Sequence, residues 1–196
     1  MMNLFAPSKH YQLIVDAFSD PERPSYGQVA NVDKKGLPQI RTVHIHYLSQ
    51  FEALGFNTHV KSNKWESLEK KPILSGCYVD NFRLVQFRWE SKIELIHPDN
   101  KKYCSFLDDM WLKMREDVRR AYALENLGEN LSDPLPSSIN LQKRHPNQGV
   151  ILCRPYLWNI YEMNEKDYTQ GRVFLHVLEK DSWHSSSVSL LHGREQ

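Results

Sequence analysis

The sequence has 196 residues, 40% of them apolar, enough for a single domain over residues 1–196 with a sizeable core and no covalent staples. Its 25 Lys and Arg against 24 Asp and Glu leave a net charge of +1, which excludes the basic field of a duplex nucleic-acid or anionic-membrane binder. Cys77, Cys104 and Cys153 fit neither a disulfide framework nor a C-x-x-C zinc pattern, no apolar run approaches the ~18–20 residues of a membrane span, and the start lacks the basic flank of a signal peptide, so a cytoplasmic protein is expected.

In chain order, Ser8 is a candidate cap for a helix whose Tyr11, Ile14, Val15 and Phe18 recur at helical spacing, with Pro21 just past its end. From Tyr26 to Leu48 the pattern alternates and predicts two antiparallel strands joined by a hairpin at Asp33-Lys34-Lys35-Gly36. A strand is expected over 53–58, a short helix over 63–70, a strand over 73–79 and a turn at Asp80-Asn81. The run 82–96 is strand-like, with Leu84, Gln86, Arg88 and Glu90 on one side and Val85, Phe87, Trp89 and Ser91 facing the core.

Beyond His97-Pro98-Asp99, apolar residues from Tyr103 to Val118 recur at steps of three and four and predict one long amphipathic helix reaching Leu124. The polar stretch that follows, with Pro134, Pro136 and Pro146, predicts a long internal loop over about 126–148. Further strands are expected over 149–161, 173–178 and 183–191. Six or more antiparallel strands with two or three helices make an α+β protein built on a β-barrel or strongly bent sheet.

The segment Thr58-His59-Val60-Lys61-Ser62-Asn63-Lys64 joins a strand to a helix start, where the first backbone N–H groups have no internal partner. Ser62 suits the cap, and Lys64 falls in the first turn, where the helix dipole disfavours a cation unless an anion is bound. Free N–H groups, a hydroxyl and an ammonium there suit a phosphate; a capped surface turn with a solvated lysine is the plainer alternative. Thr42, His44 and His46 share a strand face, but two imidazoles without a third ligand do not make a metal site, and none is expected. Gln86 is a polar anomaly in a core-like strand, suited to a planar ligand edge or to a position half open to water. Arg115, Arg119 and Arg120, with Glu116 and Asp117 between them, predict a solvated, salt-bridged helix face.

In order, Arg-Thr-Val-His-Ile-His (41–46), Gly-Phe-Asn-Thr-His-Val-Lys-Ser-Asn-Lys (55–64) and Val-Gln-Phe-Arg-Trp-Glu-Ser (85–91) resemble the motifs of the pyridoxamine 5'-phosphate oxidase family of FMN-binding split barrels. Trp111, Arg119 and Tyr122 resemble those of its pyridoxamine-phosphate-oxidase-related FMN-binding branch. The likeness covers residues 20–125 and fades in the C-terminal third. It implies an antiparallel split β-barrel with flanking helices, FMN as cofactor, and a homodimer with FMN at the interface. It further implies a cofactor site of Arg41, Thr42, Val43, His44, His46, Asn57, Thr58, Ser62, Asn63, Lys64, Gln86 and Arg172, with His46 and Arg119 on the substrate side. In this pattern Arg41 and Lys64 are the phosphate cations, Thr58 and Ser62 the hydroxyl donors, and Gln86 meets the flavin ring.

Several positions depart from the family. His46 stands where a lysine is usual, Asn63 where arginine is common, and Ser91 where glycine is. Gln170-Gly171-Arg172-Val173-Phe174 replaces the stretch that holds pyridoxal phosphate, keeping only Arg172. The expected activity is an FMN-dependent oxidase acting on pyridoxamine or pyridoxine 5'-phosphate or a related small molecule, with reoxidation by oxygen and no assigned catalytic acid or base. The competing expectation is a non-catalytic flavin- or haem-binding carrier or sensor.

Overall fold

The alternating run from Tyr26 yields three strands rather than two. In the structure, a computed structural model that describes residues 4–124 and 140–188, β1 (Tyr26–Val32) and β2 (Pro38–His44) form the expected hairpin. Gly36 takes φ +81° in its turn, a conformation that penalises a Cβ, and the Asp33 carboxylate accepts the N–H groups of Lys35 and Leu37. The run then breaks at Ile45, which is 1% exposed and donates its N–H to the Ser25 carbonyl, and β3 (His46–Leu48) leaves to pair with β4 (Ala53–His59).

The remaining strands are β5 (Ile73–Asp80), β6 (Val85–Ile96), β7 (Gln148–Glu162), β8 (Arg172–Glu179) and β9 (Ser182–Val188). All pairings are antiparallel, in the order β2-β1-β5-β6-β7-β4-β3, with β8 and β9 continuing from β7. The first part of β7 pairs with β4 and its last part with β8, so this strand must serve two sheet directions and bends. A register shift at Glu90 and Ser91, opposite Pro155, supplies that bend. β2 and β4 approach each other without pairing, which leaves the barrel split between them.

Three sequence expectations are corrected. α1 (Tyr11–Ser19) starts at His10 rather than Ser8 and has no side-chain cap, because the His10 ring is fixed instead by Glu162 and His176. β6 starts at Val85, since the Asp80 carboxylate ties the N–H groups of Phe82 and Arg83 into a turn that puts Leu84 at φ +53°. The predicted long helix is α3 (Cys104–Leu112) and α4 (Glu116–Ala121), broken at an extended Arg115 that places Glu116 and Asp117 at a new helix start, where the dipole favours acids. That break leaves Val118 43% exposed and turns Arg119 inward to 7%. Of the predicted loop over 126–148, residues 140–147 are irregular and the rest lies outside the described residues, as does the end of the last predicted strand beyond 188.

The core lies inside the barrel and under α1, where Phe18 meets the Trp89 ring edge-on at 5.6 Å and Phe5 meets Trp158 at 6.0 Å. Burying one such side chain contributes about 1.5–3 kcal/mol. α2 (Asn63–Lys70) forms where the sequence places it and buries Trp65 and Leu68. The Trp65 ring lies where a Cβ on Gly149 would meet it at 2.6 Å, so a side chain there would displace α2 and everything its first turn carries. Among the described residues no helix is long and apolar enough to cross a membrane.

Candidate functional site

At the split between β2 and β4, two cations converge. Arg41, on the inward side of β2 across from Val29, is half-buried and donates from Nη1 to Asn31 Oδ1. Lys64, in the first turn of α2, holds its ammonium 5.3 Å from the Phe56 ring centre on β4. Burial first, and the Arg41 charge second, lower the Lys64 ammonium to about 8, and burial lowers Arg41 as well. Among the described residues neither cation has a carboxylate partner. Glu66, the acid of the same helix turn, is turned outward to Lys34 and Lys70. Lys64 is therefore not the solvated lysine of the plainer sequence reading.

Ser62 caps α2 as expected, its Oγ accepting the Trp65 N–H at 3.3 Å, while the N–H groups of Asn63 and Lys64 have no partner among the described residues. Thr58 is 4% exposed on β4, and its hydroxyl makes no hydrogen bond among those residues. Two uncompensated cations, two free N–H groups and a free hydroxyl are the donor set of a phosphate monoester.

The other residues of the first two motifs divide by role. Val43 packs against the core, Thr42 is exposed on the opposite face, and Asn63 is exposed at the helix start. Asn57 is tied down, its Oδ1 accepting from Gln148 Nε2 at 2.6 Å. His44 stacks on Tyr26 at 4.9 Å, and its ring centre lies 4.0 Å from that of His46. Burial lowers both imidazoles, and the charges of His44 and Lys113 bring His46 down to about 4, so the pair is neutral at pH 7. Among the described residues no group of three or more His, Cys, Asp or Glu is arranged to hold a metal ion.

No family model and no curated protein matches the sequence. Solved structures do match. A pyridoxamine 5'-phosphate oxidase-related, FMN-binding protein from Nostoc punctiforme superposes with a TM-score of 0.73 at 20% identity, covering 92% of each chain. The fold is that of the pyridoxamine 5'-phosphate oxidase-related split barrels. PhzG from Burkholderia lata, solved with tetrahydrophenazine-1-carboxylic acid, gives a TM-score of 0.63 at 14% identity over 85% of this chain and 82% of its own. A Clostridium acetobutylicum protein related to general stress protein 26 gives 0.52 at 11% identity, over 94% and 97%.

Within this split barrel, one chain does not assemble every residue of the sequence-derived site. Gln86 is half-buried on the outward face of β6, next to Val79 and Tyr161, whereas Arg41 points inward with Val29. Arg172 pairs with Glu162 at the end of β7 remote from Gly149, the partner of Thr58, on the order of 40 Å along an extended strand. Arg119 is not on a solvated face: its Nη1 donates to the Leu141 carbonyl at 2.8 Å, the same oxygen that Trp111 Nε1 reaches at 2.9 Å.

Sequence reasoning missed Asn31, which orients Arg41 from ten residues away, and Tyr26, which stacks on His44. Both are cross-strand neighbours in the β1–β2 hairpin, so pairing that hairpin outward from its Gly36 turn would have found them. Lys113 near His46 carries no such signal, because it depends on how α3 docks.

Proposed function

We propose that this chain is an FMN-binding, FMN-dependent oxidoreductase that works as a homodimer, with the cofactor phosphate at the Arg41 and Lys64 pair. The observation that carries this reading is that pair: two half-buried cations held together with no carboxylate among the described residues to neutralise them. In this reading Arg41 and Lys64 balance the two phosphate charges, the N–H groups of Asn63 and Lys64 and the hydroxyl of Thr58 fix its oxygens, and Ser62 holds the helix start in place. Asn31 orients Arg41, and Asn57 with Gln148 keeps β4 in register with β7 beneath it. FMN, when bound, supplies a two-electron acceptor.

The placement of Gln86 and Arg172 supports the homodimer. A flavin whose phosphate sits at Lys64 meets the side chain of Gln86 only if a second copy supplies it. The sheet face that carries Gln86 also exposes Tyr26 at 56%, Ile40 at 71%, Ile73 at 45% and Val79 at 39%, an apolar surface that a second copy would cover. The substrate is a small molecule oxidised by hydride transfer, with oxygen returning the flavin to its oxidised state, and the compartment is cytoplasmic.

A second reading, a flavin- or haem-binding carrier without turnover, draws on one feature. His44 and His46 are both neutral, so these two side chains offer no charge to a reacting substrate. Purification from cells without added cofactor tests both. A yellow protein that releases FMN on denaturation, and whose flavin bleaches with a candidate amine and recovers in air, supports the oxidoreductase. Stable flavin or haem bands without turnover favour the carrier, and a colourless protein that fails to bind added FMN overturns the FMN assignment.

A further inference from the structure

Away from the Arg41 and Lys64 pair, His10, at the start of α1, and His176, on β8, are 1% and 0% exposed and stand in one line of hydrogen bonds. His10 Nε2 is 3.0 Å from Glu162 Oε1, His176 Nε2 is 3.0 Å from His10 Nδ1, and His176 Nδ1 is 2.6 Å from Ser185 Oγ, directly across the β8–β9 ladder. A carboxylate only accepts hydrogen bonds, so Glu162 fixes the His10 proton on Nε2 and leaves Nδ1 bare. That bare nitrogen requires the His176 proton on Nε2, which leaves His176 Nδ1 to accept from the Ser185 hydroxyl. The chain therefore runs one way, from an exposed hydroxyl through two buried neutral imidazoles to a carboxylate whose side chain is 39% exposed.

Burial lowers both imidazoles. For His176 the nearby charges of His10 and Lys9 add to burial and bring it to about 4, whereas for His10 the Glu162 hydrogen bond and charge oppose burial and Lys9. The Lys9 ammonium is held 3.4 Å over the Phe174 ring, which is stacked parallel to His176 at 6.3 Å. A proton taken from Ser185 thus comes to rest on His10, beside the Glu162 carboxylate.

We propose that Ser185 is an activated nucleophile for small acyl donors, with His176 as its base and His10 and Glu162 as positioning residues. Ser185 Oγ forms a bond to the carbonyl carbon of an ester. Its proton passes to His176 Nδ1 as the His176 Nε2 proton passes to His10 Nδ1, giving a neutral His176 and an imidazolium at His10 facing Glu162. The bond from that carbon to the leaving oxygen then breaks with its electron pair, and the leaving group takes a proton back along the same chain. The acyl group has moved from one oxygen to another, and nothing is oxidised or reduced.

β9 carries its own control, because Ser185, Ser186 and Ser187 are all exposed and only Ser185 lies opposite His176; Ser187 lies opposite Phe174 and Ser186 opposite Leu175. The test treats the full chain with p-nitrophenyl acetate and maps acetylated serines by peptide mass spectrometry over time. Ser185 is expected to react at least about tenfold faster than Ser186 or Ser187, with a rate that is flat near pH 7 and falls as acid protonates His10. Glu162→Gln keeps an oxygen to accept the His10 N–H but removes the charge that holds the proton, so Ser185 acetylation should drop about tenfold or more while Ser186 and Ser187 are unchanged. Equal labelling of the three serines, or a Ser185 rate indifferent to Glu162→Gln in a variant whose circular dichroism matches the wild type, would overturn the proposal and leave the chain as a fastening of α1 to the sheet.

Discussion

The Lys64 ammonium shares a half-buried space with the Arg41 guanidinium, and the acid of the same helix turn, Glu66, points away toward Lys34 and Lys70. Two like charges brought together out of water are unfavourable unless a counter-charge completes the arrangement. Lys64→Ala is therefore expected to weaken FMN binding by about 1–3 kcal/mol, the worth of one charge-assisted hydrogen bond to phosphate. The same change should leave the cofactor-free protein as stable as before or more so, because it removes an uncompensated charge. Calorimetric titration beside a thermal melt separates the two effects, and unchanged affinity would show that the phosphate sits elsewhere.

The pH dependence of that binding has a defined sign. Free Lys64 loses its proton near 8, whereas a bound phosphate dianion returns it toward the ordinary value of 10.5, so binding takes up a proton between these limits. FMN affinity should fall as pH rises through about 8, and Lys64→Arg should remove that fall because a guanidinium keeps its proton. Without cofactor the unfolded chain binds more protons than the folded one between about 8 and 10.5, so this group makes the free protein more stable as pH rises across that window. An affinity flat from pH 7 to 9.5 would contradict the position assigned to Lys64.

If a second copy supplies Gln86, the surface around it is the interface. Ile40 is 71% exposed on β2, so Ile40→Glu should leave the monomer folded while placing charge on the apolar face. Light scattering is expected to show a dimer for the wild type and a monomer for the variant, with FMN affinity lost in parallel. A monomer that binds FMN as tightly as the wild type would remove the shared-site argument.

How much was legible in the sequence depends on the range of the contacts. The α2 start was readable because Ser62, Asn63 and Lys64 act on one another locally, and the helix forms over 63–70 as its pattern predicts. The break before α4 was not, since 103–118 keeps an unbroken helical period and only Glu116 and Asp117, acids suited to a helix start, hint at it. Arg119 reads as a surface charge for the same reason: it turns inward only because the helix breaks, and the Leu141 carbonyl it meets lies 22 residues on. The proximity of Arg41 to Lys64 needed either the barrel or the family resemblance, as nothing local links β2 to α2.

Arg119 gives a prediction that distinguishes a structural from a substrate role. Its guanidinium and Trp111 Nε1 share the Leu141 carbonyl, so Arg119→Ala should cost roughly 1–3 kcal/mol of stability through a buried charge-assisted bond. Urea unfolding measures that loss. FMN affinity should be unaffected, and a variant with full stability but raised substrate KM would assign Arg119 to the substrate after all.

Pyridoxamine 5'-phosphate is expected to be a poor substrate, and the reason lies at His46. A substrate phosphate brings roughly two negative charges and is normally met by several fixed cations or N–H donors. With Lys64 and Arg41 engaged by the cofactor, His46 is the candidate site residue that stands where the resembled family carries a lysine. Its imidazole, held at about 4 by burial, His44 and Lys113, stays neutral throughout the physiological range. An imidazole with its ordinary pKa would gain charge between pH 8 and pH 6 and improve phosphate binding over that interval. Here no such gain is expected, so the KM for pyridoxamine 5'-phosphate should not fall on going from pH 8 to pH 6. His46→Lys should lower KM, though by less than a solvated lysine would, because the same burial and the Lys113 charge act on the new ammonium. Steady-state kinetics of wild type and variant at both pH values check this, and efficient wild-type turnover with a KM indifferent to pH and to the substitution would mean that the substrate phosphate is held by residues other than His46 and its neighbours.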